Sequence, residues 1–273
     1  TGDGIADAVR DADRVIHLAA AVKARTAAGY HAVNRDGTAR LAGALAALPR
    51  PPRLVVCSSL AAAGPSMPPR TRRGSTPPQP VSWYGASKRA GEEAVREYAD
   101  RVEAVILRPA VVYGPGDAAL LPPLLRMVRL GLAFAPGPRR CSMVYVDDLC
   151  TALLSACEKG TPLCPRNPDV GIYPISDGRE YGWPDLYGAV AEALGRRPPI
   201  LIPAPAFAVR TVATLAELLT RTHGTVPALN RDKAREMRCV AWTCSPTAAT
   251  RDLDFTPTMS LPNGFAASLT HPD

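Results

Sequence analysis

Leu54-Val-Val-Cys-Ser58 is a continuous apolar run that ends on a serine pair, Ser58-Ser59, and its texture sets the architecture. A run without polar alternation is the pattern of a strand buried on both faces, as in a parallel sheet covered by helices. Arg14-Val-Ile-His-Leu18 and Ala104-Val-Ile-Leu-Arg108 have the same texture. Between the three runs lie Ala32 to Leu48 and Tyr84 to Asp100, long enough and rich enough in Ala and Leu for helices. This order predicts an α/β fold built on a doubly wound parallel sheet. From about Gly116 the chain becomes Pro-rich and irregular. It carries a further strand-like run at Ile172 to Ser176 and helices near Asp147 to Cys157 and Trp183 to Leu194, the pattern of a smaller C-terminal lobe.

The chain has 273 residues, 47% of them hydrophobic, ample for a full core and unlike a disordered tail. Its formal charge is +7, carried by 28 Arg and 4 Lys scattered along the sequence. Clusters such as Arg70 to Arg73 and Arg139-Arg140 lack interleaved aromatics, so they read as solvated loops rather than a nucleic-acid surface. No charged and apolar leader is present, and no stretch reaches the roughly 20 apolar residues of a membrane span. The most apolar stretch, Ile200 to Leu219, is interrupted by Pro203, Pro205, Arg210 and Glu217. It is expected to form an amphipathic helix on a core, with peripheral membrane contact as the lesser reading. Seven cysteines without CxxC spacing argue against zinc and against a secreted disulfide framework. They read as mostly buried thiols in a cytoplasmic protein.

Tyr84-Gly-Ala-Ser-Lys88 carries the chemistry. Tyr and Lys at i and i+4 share one helix face, so a phenol and an ammonium can act on one ligand. A free phenol has a pKa of about 10, and a fixed cation nearby favours the phenolate and brings it toward neutrality. The same spacing also arises by chance between two helix-surface side chains. The serine pair lies at the end of the strand that precedes this helix, where open α/β sheets bind ligands. A hydroxyl there can donate to a developing oxyanion, or it can simply cap the strand end.

Three more segments follow in order: His17-Leu-Ala-Ala20, Asn34-Arg-Asp-Gly-Thr38, and Leu107-Arg-Pro-Ala-Val-Val-Tyr-Gly-Pro-Gly116. With Tyr84 to Lys88 and the closing Leu253-Asp-Phe-Thr-Pro257, the sequence resembles the extended short-chain dehydrogenase/reductase family, also called the NAD-dependent epimerase/dehydratase family. The closing segment looks like the family's LGFxP with Asp254 in place of Gly. The resemblance implies an enzyme on a Rossmann-type sheet, with NAD or NADP as cofactor, NAD favoured, and a small-molecule substrate. It implies Tyr84 as catalytic acid/base, and Lys88 as the residue that binds the nicotinamide ribose and lowers the Tyr84 pKa. Ser59 rather than Ser58 would polarise the substrate oxygen, counting back from Gly64. The cofactor would be contacted by Leu18, Ala19, Ala20, Asn34, Cys57, Ser58, Pro109 and Val112 together with Tyr84 and Lys88. His17 would be structural. Residues 1–115 would form the dinucleotide-binding domain and 116–273 mainly the substrate lobe, with later segments able to return to the sheet.

Departures from the family pattern narrow the reaction. The 4,6-dehydratase branch places Asp-Glu where this chain has Leu60-Ala61. Sugar-nucleotide epimerases typically carry Asn where Val111 stands, and Arg seven residues before Asp148, where Cys141 stands, one position from Arg140. An amide and a guanidinium that would grip a diphosphate are thus absent. Ser58-Ser-Leu-Ala-Ala-Ala-Gly-Pro65 looks like the 3β-hydroxysteroid dehydrogenase branch, which implies a sterol-like or other apolar secondary alcohol or ketone. A nucleotide-sugar epimerase is the alternative, and a non-catalytic dinucleotide sensor a lesser one.

No glycine-rich turn precedes His17, so the first strands of a Rossmann domain are expected to be missing, with poor dinucleotide affinity and an unfinished sheet edge as consequences. Asp3 lies too close to His17 to be assigned an adenine contact. Ala86, Ala90 and Ala94 form a small-residue stripe that suits either a homodimer interface or packing onto the sheet. Trp83, Met143, Tyr145 and Trp183 are candidate walls of the substrate pocket. Asn230 to Pro246, with Trp242 between Cys239 and Cys244, suggests no mechanism and reads as lobe structure.

Overall fold

A computed structural model of the protein describes residues 4–135, 140–204, 211, 214, 227 and 230–270. The elements run α1 (Ile5–Val9), β1 (Arg14–His17), α2 (Ala27–Asn34), α3 (Asp36–Ala46), β2 (Arg53–Cys57), α4 (Leu60–Ala63), α5 (Trp83–Arg96), β3 (Ala104–Pro109), β4 (Val111–Tyr113), α6 (Leu121–Leu130), β5 (Leu132–Ala135), β6 (Arg140–Cys141), β7 (Met143–Tyr145), α7 (Val146–Glu158), β8 (Ile172–Ile175), α8 (Trp183–Ala193), β9 (Ile200–Pro203), α9 (Arg231–Met237), β10 (Ala241–Trp242), α10 (Thr247–Leu253) and α11 (Leu261–Thr270).

The central sheet has the order β1-β2-β3-β8, all parallel, with Arg14 opposite Arg53, Leu54 opposite Ala104 and Ile106 opposite Ile172. Alternate side chains of β2 enter different cores. Leu54 and Val56 pack with Leu41, Leu45 and Val95 of α3 and α5, while Val55 packs with Leu149 and Leu153 of α7. Helices therefore cover both faces, which is why the strands are continuously apolar. Both β8 and α7 follow Gly116 in sequence and yet join this sheet.

The helix expected over Ala32 to Leu48 is two helices, α2 and α3, parted at Arg35. Thr38 donates its hydroxyl to the Asn34 carbonyl at 2.8 Å, a back-bond that bends helices. The bend brings Asn34 O against Gly91 of α5, where an added Cβ would lie 2.3 Å from that oxygen. Ala94 of the small-residue stripe is buried, packed inside the chain.

The lobe is held by short two-stranded pairings, β4 with β7, β5 with β9 and β10 with β6, which the sequence did not announce because each strand has four residues or fewer. Met143 and Tyr145 are buried in the lobe core beside Tyr113 and Phe265. Trp183 packs against the same core, and Trp83 is partly exposed with the Arg235 guanidinium 4.9 Å above its ring. The amphipathic helix expected from Ile200 begins instead as strand β9, because Ile200–Pro203 pairs in parallel with Leu132–Ala135; residues 205–210, 212–213 and 215–219 of that stretch lie outside the described residues.

Leu253 and Phe255 of the closing motif are buried, and Asp254 between them is left-handed at φ 52°. That conformation favours Gly, and the Lys159 ion pair at 2.5 Å accompanies the substitution. Asp148 of α7 fastens the following segment by accepting from Thr258 and Met259. Arg72, expected in a solvated loop, is buried and donates to Pro65 O and Pro77 O at 2.7 and 2.8 Å. Two cysteines, Cys157 and Cys244, are buried, four are half-buried and Cys150 is exposed, so the set is less buried than its composition suggested. Among the described residues no helix is long and apolar enough to cross a membrane.

Candidate active site

Parallel strands end on one side of the sheet, and the candidate residues gather there because they follow β1, β2 and β3. Past β1, Leu18 and Ala19 are exposed and Ala20 is half-buried. Past β2 come Ser58 and Ser59. Past β3, Pro109 is buried opposite Ile175, and Val112 is exposed on β4.

Asn34 ties these pieces together. Its side chain accepts from Ala21 N at 2.7 Å and donates to Ala21 O at 3.0 Å and to Ser87 Oγ at 2.8 Å. Ser87 in turn donates to the Tyr84 carbonyl at 2.7 Å. The loop after β1 is thereby locked to the helix that carries Tyr84 and Lys88.

The serine pair divides its labour. Ser58, nearly buried, donates to Glu92 Oε1 at 2.5 Å. Glu92 also receives Arg108 Nε at 2.8 Å and Nη2 at 2.6 Å, a forked pair with both side chains about 1% exposed. Burial alone would push the Glu92 carboxyl up, but Arg108, the Ser58 hydroxyl and Arg89 overcome this and hold it below the usual range. Ser59 caps α4 by accepting from Ala61 N at 3.1 Å, and its hydroxyl faces the Tyr84 phenol. Ser59 is therefore the hydroxyl beside the phenol, while Ser58 belongs to the scaffold beneath it.

Tyr84 sits edge-on to Tyr30, with ring centroids 6.0 Å apart. Burial pushes its phenol up to about 12; Ser59 pulls it down, and Glu236 pushes it further up. The expectation that Lys88 brings this phenol toward neutrality is not met in the chain alone. Lys88 donates Nζ to Cys57 O at 2.7 Å, and burial lowers its own pKa. An ammonium has three donors, and one acceptor is found for it among the described residues.

His17 has a structural setting, its Nε2 lying 2.9 Å from Thr38 Oγ1. Burial first, and then the Lys88 charge, lower its pKa to about 4. An unfolded His titrates near pH 6.5, so stability should be full above about 6.5, decline as the pH falls toward about 4 and then level off. Following the His17 ring resonances against pH checks this, with a midpoint near 4 expected.

The sequence missed Asp232 and Glu236. Asp232 accepts Trp83 N at 2.7 Å and Tyr84 N at 3.1 Å, and Glu236 accepts the Ser82 hydroxyl at 2.7 Å. Ser82 accepts Gly85 N at 2.9 Å. The first three free N–H groups of α5 are thus satisfied at the turn that carries Tyr84. Two acids at i and i+4 behind the N-cap Asn230 were the available signal, but their partners are about 150 residues away in the chain. Asp232→Ala should cost about 1.5–3 kcal/mol, the range for a hydrogen bond to a charged group, and Asp232→Asn less. Thermal melts of both variants check the ordering.

The family model described as NAD dependent epimerase/dehydratase family matches residues 3–167. A ceramide reductase of Caulobacter vibrioides is 33% identical over 240 residues, covering 86% of this chain and 67% of that protein. The 3beta-hydroxysteroid-dehydrogenase/decarboxylase isoform 2 of Arabidopsis thaliana is 27% identical over 68% of this chain, which spans only 35% of it. Among solved structures, UDP-glucuronic acid 4-epimerase of Bacillus cereus superimposes with a TM-score of 0.71 over 98% of this chain and 77% of its own, at 20% identity, a likeness of fold. The match over more than half of the sequence, on a parallel sheet whose strand ends gather Ser59, Tyr84 and Lys88, makes this chain a member of the NAD dependent epimerase/dehydratase family.

Proposed function

We propose that the protein is a nicotinamide-dependent reductase of an apolar ketone, running in reverse as a secondary-alcohol dehydrogenase. The observation that carries this reading is the grouping of the Ser59 hydroxyl with the Tyr84 phenol at the end of β2, with Lys88 one turn further along the same helix. A protonated phenol is ready to give a proton to a carbonyl oxygen as it gains negative charge. Ser59 donates to the same oxygen and so stabilises the developing oxyanion. Lys88 has donors to spare for a ribose, and its charge next to the site stabilises the phenolate left when the proton is given up, which water or buffer then reprotonates before the next turnover.

NAD, favoured over NADP, is held in this reading by the loop Leu18–Ala20, by Lys88 and by the strand ends at Cys57, Ser58, Pro109 and Val112, with Asn34 fixing the loop. The small, exposed Ala19 leaves the backbone open to a phosphate-bearing ligand, and the uncommitted Lys88 donors fit a ribose hydroxyl. When bound, this group supplies or accepts the hydride. Residues 1–115 act as the cofactor domain and 116–273 mainly as the substrate lobe, apart from α7 and β8.

The apolar substrate is supported by what stands where epimerases grip a diphosphate. Val111 is aliphatic, and Cys141 is a half-buried thiol pushed up to about 12 by burial, hence uncharged. Arg140 is exposed and faces Glu180 at 3.9 Å. The ceramide reductase likeness points the same way. The test is oxidation of NADH and NADPH with long-chain and sterol-type ketones, next to conversion of UDP-glucose. Turnover of a ketone supports the reading; conversion of UDP-glucose with no ketone turned over overturns it in favour of an epimerase.

A further inference from the structure

The lobe carries an apolar face that its own core does not use. β5 and β9 pair in parallel, Leu132 opposite Ile200 and Phe134 opposite Ile202. Side chains alternate across a strand, so these four stand on one side of the ribbon while Ala133 and Leu201 turn to the core. The four are 39%, 71%, 51% and 37% exposed in that order, and Leu130, just before β5, is 65% exposed. Their combined open area is on the order of 500 Å², the size of the largest apolar patch on a typical monomer, which is often functional.

Basic residues border it at one end. Parallel pairing puts the starts of both strands together, and Ile200 N donates to Gly131 O at 3.0 Å. Arg129 precedes β5 and Arg126 stands one turn back on α6. Arg196 and Arg197 precede β9. All four are exposed, and among the described residues no ion pair is found for any of them.

We infer that this ribbon is a docking surface for an anionic lipid bilayer, its five apolar side chains entering the headgroup boundary while Arg126, Arg129, Arg196 and Arg197 meet lipid phosphates. Two features select a bilayer over a second copy of the chain. The patch is smaller than the roughly 800 Å² per partner of a stable protein interface and has no hydrogen-bonding side chain within it. The four positive charges gathered at one end of the ribbon are complemented by anionic headgroups. The inference does not depend on the proposed reaction, and its test needs no turnover.

The full chain is sedimented with phosphatidylcholine vesicles with and without phosphatidylglycerol. Binding to the anionic vesicles should be about tenfold tighter than to the neutral ones and should weaken with salt. Phe134→Asp and Ile200→Gln should each reduce it severalfold, and the double variant Arg196→Glu/Arg197→Glu should remove the preference for phosphatidylglycerol. Ile200, the most exposed of the five, serves as the check should Phe134→Asp disturb folding, which a thermal melt reports. No binding by the wild type, undiminished binding by folded Ile200→Gln, or a chain that sediments as a dimer and becomes monomeric on Ile200→Gln would overturn the proposal.

Discussion

Replacement of Tyr84 by Phe should lower turnover roughly a thousandfold, the range for loss of a positioned proton donor. The ring and its edge contact with Tyr30 remain, so the fold and nicotinamide affinity should change little. Comparing kcat with cofactor affinity measured by fluorescence separates the two effects, and retained activity in Tyr84→Phe would remove Tyr84 from the chemistry. The wild type adds a pH test. With the phenol near 12, ketone reduction, which uses the phenol, should be flat through neutrality. Alcohol oxidation needs the phenolate, so its rate should rise about tenfold per pH unit below that value. Bound cofactor that lowers the phenol pKa would appear as an earlier plateau of the oxidation rate.

Glu92→Ala should be the most damaging change to the scaffold. It leaves the Arg108 guanidinium buried without its counter-charge, and Arg108 Nη1 already has no partner. Breaking a buried pair from one side costs about 3–5 kcal/mol. For a chain of this size that is a fall in Tm of about 10 °C. The double replacement Glu92→Met/Arg108→Met removes both charges and should recover much of the loss, which a double-mutant cycle measures. Because the Glu92 carboxyl is held below its ordinary value, the stabilisation is present above the unfolded carboxylate pKa of about 4.3 and is lost as pH falls through the folded value. Ser58 loses its acceptor in either variant. The Ser58 main chain keeps its hydrogen bond to Leu107 O, so the loss is expected mainly in stability.

Much of the site could be read locally. Ser59, Tyr84, Lys88 and Asn34 each sit in a short motif, and each motif ends or follows a strand whose apolar texture is unmistakable. The motif count back from Gly64 already preferred Ser59 to Ser58; what it left open was what Ser58 does. In the fold Ser58 gives its hydroxyl to Glu92. Glu92 and Arg108 are 16 residues apart on a helix and the adjacent strand, and no spacing rule pairs them. Asp232 and Glu236 were less visible still, since they cap a helix from a distant segment that sequence patterns described only as lobe.

The electrostatics departed furthest from the sequence reading. A Tyr and a Lys at i and i+4 suggested a phenol drawn toward neutrality. In the folded chain the phenol is pushed up, because burial penalises its charged form.

By itself the sequence determined the doubly wound parallel sheet, the family and the helix that carries Tyr84 and Lys88, because strand texture, helical spacing and short motifs are local properties of the chain. Only the tertiary structure decided what holds Ser58, which acids hold the Tyr84 helix, and that Met143 and Tyr145 are core while Leu132, Phe134, Ile200 and Ile202 are surface. Burial and charge partnership depend on which distant segments meet, and that is settled when the elements pack.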